Sequence, residues 1–275
     1  MTEPIILETE DVRAVIESEN GAYLSHLSMR TPIGWREILI PGSDPGCGAF
    51  PLVPYSGRIP NGDASNAGRA WQAPLHPRAG KHAMHGDGWK RPWSVLEIRD
   101  ASVKLELDYP TEDWPFNHSV RMTLTCTANR FHLAFFVTND DGIPFGLGWH
   151  PFFPMLGGAR LEFDHNCIWR LQNDQFVKVS EASGAFVVLE PGFATRQFAV
   201  AGPDMLISWQ DAAHRLRIEW TGVSHLVIYV HPDYQRFAIE PANHPVGTFN
   251  RSSDSTVSSC SAPLQGQLNL TLSLL

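Results

Sequence analysis

The chain has 275 residues, of which 43% are hydrophobic and 18% charged, a balance that excludes a disordered polymer and permits a large core. Its net charge of −8 argues against nucleic acid as a partner, because phosphate binding needs a basic surface, and against an anionic membrane surface. No apolar run approaches the roughly 18 residues of a membrane span, and Met1-Thr2-Glu3-Pro4 lacks the basic and apolar regions of a secretion signal, so the expected location is cytoplasmic. Four scattered cysteines, Cys47, Cys126, Cys167 and Cys260, form no C-x-x-C pair and read as free thiols.

Taken in chain order, the predicted elements are strands. Residues 102–109 form the first clear one. Val120, Met122, Leu124 and Cys126 then alternate with Arg121, Thr123, Thr125 and Thr127, which puts the two sets on opposite faces. The apolar run Phe131 to Val137 follows the short turn Ala128-Asn129-Arg130, so residues 119–138 read as a hairpin. Further strands are predicted at 160–164, 205–209, 215–220 and 225–230. The last is at 268–274, where leucines alternate with polar residues. Residues 180–204 are loosely patterned and read as a long connection, and the serine-rich stretch Ser252–Ser261 as a surface loop. Helical periodicity is weak throughout, and 21 prolines with 22 glycines suit many strands joined by turns. The expected architecture is all-β: one large antiparallel β-sandwich, or a related closed sheet, spanning residues 1–275.

Four turn-rich stretches combine ionisable and aromatic residues: Pro54 to Gly62, His82 to Trp89, Gly148 to Phe153, and Ala238 to Pro245. Glu240 ends an apolar run and precedes Pro241, which holds its backbone extended; it is either a cleft carboxylate or half of a surface ion pair. His150, between Trp149 and Pro151-Phe152-Phe153, is either a hydrogen-bonded core residue or a tuned acid–base group. His85 precedes Gly86 and Gly88, which let backbone approach a ligand closely, and His82 lies three residues before it. Arg58 offers a planar fork of donors suited to hydroxyls or a carboxylate, or else pins its loop with a salt bridge. Trp89, Trp93 and Trp149 could stack on a sugar ring or fill core. His82, His85, His150 and Glu240 could form a mixed metal set, but H-x-x-H in a glycine loop is not the helical H-E-x-x-H of zinc enzymes, and no metal is expected. Phosphate-loop and nucleophile-elbow patterns are absent from the sequence.

In these four stretches, and in Asn20-Gly21-Ala22-Tyr23-Leu24, the chain resembles the aldose 1-epimerase (galactose mutarotase-like) family, in order from about residue 10 to residue 250. The resemblance implies a β-supersandwich fold and cofactor-free interconversion of the α and β anomers of a free aldose. It implies Glu240 as catalytic base, His150 as general acid and His85 as a second histidine near the ring oxygen. It also implies Arg58, within a segment containing Ile59, Asn61 and Gly62, as a contact to sugar hydroxyls. Asn61, His82, Trp89 and Trp149 complete the expected sugar-binding set. The chain departs from the family pattern at Gly57, where asparagine is common, and no sugar-binding aspartate stands out in residues 180–210. A neighbouring glutamate is expected to keep the acid histidine protonated.

The expected partner is a small sugar, and the expected state a monomer or homodimer. Two rival readings are a hexose-6-phosphate 1-epimerase, with Arg69, Arg78, Lys81, Lys90 and Arg91 as phosphate ligands, and a non-catalytic carbohydrate-binding protein. A glycoside hydrolase needs two opposed carboxylates, and only Glu240 stands out.

Overall fold

The computed structural model describes residues 3–66, 68–109, 114, 118–139, 145–172, 175–180, 183–250 and 267–275. Among them the secondary structure is antiparallel β, with only two short 3₁₀ turns, at Pro60–Gly62 and Gly88–Lys90. The strands join in a 19-stranded sheet. Pairings run unbroken from Ser94–Arg99 through Ser102–Tyr109, His118–Thr127, Arg130–Asn139, Gln267–Leu274, Arg215–Thr221, Asp204–Trp209 and Ala159–Gln172. They continue through Arg196–Val200, His225–Val230, Arg236–Ala242, Gly148–Pro154, Ala49–Leu52, Tyr23–Thr31 and Val12–Glu17 to Ile5–Glu8. A sheet this long cannot stay flat, because strand twist accumulates. It folds into a sandwich around one large core that includes Leu105, Phe131, Trp149, Ile207 and Leu270.

The alternation read from the sequence sets these faces. Val120, Met122, Leu124 and Cys126 are buried, and Thr127 opposes Arg130 across the predicted hairpin. Gly21 and Ala22 carry the chain from Val12–Glu17 into Tyr23–Thr31 with φ of +66° and +52°.

Three expectations are corrected. Residues 180–204 hold the strands Gly184–Leu189 and Arg196–Val200 rather than a long connection. The first is an edge piece exposing Phe186 and Val188, so its apolar residues lacked the usual alternation; the second is buried on both faces. Cys47 and Cys126 are free thiols, but Cys167 is disulfide-bonded. Trp149 is not a sugar-stacking wall. It is 2% exposed and stacks on Phe131 in the core, because it precedes His150 on one strand and so points to the opposite face. Trp93 is likewise core, its indole N–H donating to the Gly88 carbonyl at 2.9 Å. Ser252–Ser261 lies outside the described residues.

Replacing Trp149 with alanine should therefore cost about 3–5 kcal/mol of stability, read by urea unfolding. Loss of sugar affinity at unchanged stability would return Trp149 to the binding surface.

Candidate active site

The site is a row of side chains running across six adjacent strands. Directly opposed residues in a β-ladder project from the same face. Trp169 opposes Gln197, Gln197 opposes Val227, and Val227 opposes Glu240. The register pairing Gly148 with Ala242 and Phe152 with Ala238 sets His150 across from Glu240, and His150 opposes Phe50. Pro151 and Pro241 lie in that same stretch and have no N–H to give to the ladder. Glu240 and His150 each precede one of these prolines, which holds both backbones extended.

His150 Nε2 lies 3.4 Å from Glu240 Oε1, and the two residues are 6% and 5% exposed. The His150 ring stacks on Phe50 and Phe152 at 4.7 and 4.6 Å, which strips it of water. Burial pushes the Glu240 carboxyl up to about 8, against a smaller downward pull from Arg58, and pushes His150 down to about 3. Desolvation thus outweighs the neighbouring carboxylate, so Glu240 does not keep His150 protonated as expected. Both shifts favour an uncharged pair with its shared proton on the carboxyl.

A second loop brings in His85. Arg58 pairs with Met84 in a short two-stranded ribbon, and Val53 bridges to Gly86. His85 adopts φ of +61° and Gly86 +63°. A side chain at Gly86 would collide with the Val53 carbonyl, so the glycine is required for this close approach. His85 N–H donates to the Gly57 carbonyl at 2.8 Å, and Gly57 N–H donates back to His85 Nδ1 at 3.1 Å. An Nδ1 that accepts a hydrogen bond cannot carry a proton, so the His85 proton sits on Nε2 and the ring is neutral. Burial, with smaller contributions from His150, His76 and Arg58, depresses its basicity in the same direction. The His85 and His150 rings meet edge to face at 5.3 Å.

The cleft above this row has two adjoining lobes. The first, of about 270 Å³, is lined by Glu240, His150, His85, Arg58, Gly57, Met84, Leu171, Phe176, Thr195, Val227, Tyr229 and Val246. The second, of about 220 Å³, shares His150, His85, Met84 and Tyr229 and adds Tyr23, Phe50, His76, Arg78, Trp89, Phe152 and His231, with Pro45 and Gly46.

Of the sequence candidates, Glu240, His150, His85 and Arg58 therefore converge. Trp89 is close by but walls the second lobe. Asn61 and His82 line neither lobe. Asn61 sits exposed at φ of +54°, its N–H donating to His82 Nδ1 at 3.2 Å, so the two brace a turn. Among the cationic candidates, Arg78 borders the second lobe, whereas Arg91 is tied to Asp87 at 2.7 Å and Lys90 lies over the Trp89 ring. The sequence reading missed Thr195, Val227, Tyr229 and the Leu171–Phe176 wall. The strand at 225–230 was legible in the sequence, but not which of its faces would line the cleft. Among the described lining residues Glu240 is the only carboxylate.

One nitrogen each from His85 and His150 and one oxygen of Glu240 lie within 4.8 Å of one another, a spacing open to a metal ion. The hydrogen bonding runs against that use. A metal-bound histidine donates its other N–H to a carboxylate or carbonyl. Here His85 Nδ1 accepts from an amide, and His150 Nδ1 is buried without a partner.

The sequence profile described as Aldose 1-epimerase matches residues 5–262, and the chain belongs to that family. It is similar to two uncharacterized proteins of Escherichia coli K12: YphB, 29% identical over 172 residues, and YihR, 28% identical over 105. These matches cover 56% and 37% of this chain but only 58% and 34% of the relatives' own length. In structure it resembles a GalM/aldose epimerase homologue from C. elegans, with TM-score 0.79, 14% identity and coverage of 100% and 99% of the two chains. It also resembles a galactose mutarotase-like protein from Lactobacillus casei, with TM-score 0.75, 17% identity and coverage of 99% and 100%. At these identities the likeness is one of fold.

Because the folded carboxyl titrates above the unfolded one, the contribution of Glu240 to stability should fall as pH rises from roughly 4.3, where an unfolded glutamate ionises, to about 8, while the depressed His150 works in the opposite sense below about 6.5 and cancels in a comparison with a Glu240 variant. Glu240→Gln cannot ionise. Its melting temperature should gain on the parent across that window and hold the gain above it. A pH-independent difference would mean that Glu240 ionises normally.

Proposed function

We propose that the chain is an aldose 1-epimerase that interconverts the anomers of a free sugar by acid–base ring opening, without metal or cofactor. The observation that carries this reading is the Glu240–His150 contact at 3.4 Å on the floor of a cleft large enough for a pyranose.

Ring opening removes the proton from the anomeric hydroxyl and delivers one to the ring oxygen. A carboxyl–imidazole pair holding a single proton does both without net charge change, so burial does not penalise the step. Sugar hydroxyls and Arg58 offer donors to the carboxylate, and binding moves the shared proton to His150. Glu240 then takes the anomeric proton while His150 protonates the ring oxygen. The C1–O5 bond breaks and leaves an open-chain aldehyde. Rotation about C1–C2 presents the other face; O5 attacks C1, Glu240 returns its proton to O1, and His150 recovers the proton from O5. His85, held neutral by Gly57, donates from Nε2 to a sugar oxygen and is not the acid. Acid–base catalysis of this kind is worth about 100- to 10,000-fold.

We place the activity in one sandwich domain across residues 1–275, acting on a small sugar as monomer or homodimer. No helix among the described residues is long and apolar enough to cross a membrane. A cytoplasmic location is proposed from the sequence alone, and the Cys167 disulfide counts against its free-thiol premise. Cell fractionation decides it.

Polarimetry of freshly dissolved aldoses tests the activity. Glu240→Gln should lower kcat by at least about 100-fold, and His150→Asn by a similar factor. Near-parental turnover in Glu240→Gln, or no acceleration of any aldose by the parent, overturns the assignment, the latter in favour of a binding protein on this fold.

The pH profile follows from the single shared proton. Above about 8 Glu240 loses it and the pair has none to deliver; near 3 His150 gains a second and the pair has no base. The enzyme-dependent kcat/KM should be level around neutrality and fall at those two ends. A half-maximum near 6.5 would instead indicate a solvated histidine.

A further inference from the structure

The second lobe has no task in turning over a lone monosaccharide. We infer that it is a subsite for a second sugar ring joined through C6 of the reducing sugar, so that 1→6-linked reducing disaccharides are substrates. This rests on the mutarotase reading, which fixes how the sugar lies. O1 must meet Glu240, and O5 must meet the imidazoles. The direction from O1 to O5 therefore runs along the row from Glu240 past His150 toward Phe50. The next ring atom after O5 is C5, which carries C6. A substituent on C6 is thus delivered over the histidines into the second lobe. The C3–C4 edge lies on the far side of the ring, so a 1→4-linked unit points away.

The lobe's surface suits a pyranose. One step along the strands from the catalytic row, Tyr229 and Phe152 lie on either side of Ala238 in the ladder, and both line the lobe. Half-buried Trp89 forms a side wall, and Arg78 puts hydrogen-bond donors beside these rings, with His231 bordering them while its ring nitrogens engage Asp233 and Arg236. Aromatic faces with polar groups alongside match a sugar's C–H face and its hydroxyls. The two volumes, about 220 and 270 Å³, are close enough for one ring each. A phosphate on C6 fits less well. It calls for several converging charged donors, and Arg78, an exposed residue, is the only permanently charged side chain among the described residues lining this lobe.

The test is polarimetric kcat/KM for four substrates sharing one reducing sugar: the monosaccharide, its 6-O-glucosyl and 4-O-glucosyl derivatives, and its 6-phosphate. For glucose these are glucose, isomaltose, maltose and glucose 6-phosphate. The 6-linked disaccharide should exceed the monosaccharide by about three- to tenfold, the range expected of one aromatic contact, and the 4-linked one should show no gain. Trp89→Leu should cut the 6-linked to monosaccharide ratio by a similar factor. Should that variant not fold, the parental comparison decides alone. Equal values for the 6- and 4-linked disaccharides, an unchanged ratio in folded Trp89→Leu, or a preference for the 6-phosphate that Arg78→Ser abolishes would each overturn the inference. Turnover of monosaccharides with no 6-linked gain sinks this inference only; turnover of no aldose sinks the mutarotase reading beneath it.

Discussion

The structure turns on one contact, a carboxyl and an imidazole facing each other across neighbouring strands with almost no water around them. Either group alone would be costly to bury in its charged form. Together they remain neutral by holding one proton between them. Desolvation, which raises Glu240 and lowers His150, is also what makes the pair useful: neither group is locked as a solvated ion, and moving the proton from one to the other creates no net charge. The phenylalanines at 50 and 152 help impose this state by packing their rings against the imidazole and keeping water from it.

The sheet supplies the geometry the pair requires. Side chains on opposed β residues are held within reach by the ladder itself, so no flexible loop has to position Glu240 against His150. The same pleat separates function from packing one residue away: His150 faces the cleft while Trp149 fills the core. Loops enter only from above, where the glycines at 57 and 86 let the chain turn tightly enough for an amide to clamp His85.

The cleft is polar at the catalytic row and apolar along much of its walls, with Leu171, Phe176, Val227 and Val246 around the first lobe and aromatic rings around the second. Among the lining residues, Arg58, His85, Thr195 and Tyr229 carry the polar groups that the proposed reaction would use to orient a sugar. Membership of the aldose 1-epimerase family fits such a site, in which chemistry is fixed by the row and preference is left to the walls.

By itself the sequence determined the all-β class, the hairpin at 119–138, several further strands from residue 102 onward, and the stretches holding Glu240, His150, His85 and Arg58. Those features are local: a period of two, a turn, or a proline next to an ionisable residue leaves its mark within a few positions. Only the tertiary structure decided that positions 85, 150 and 240 meet, that Trp149 turns inward while Asn61 and His82 stay outside the cleft, and that Thr195, Val227 and Tyr229 complete its wall. Register between strands far apart in the chain sets those relations, and a shift of one residue would turn each side chain to the opposite face. The protonation state of the pair was beyond the sequence for the same reason, since it depends on how much water the surrounding rings exclude.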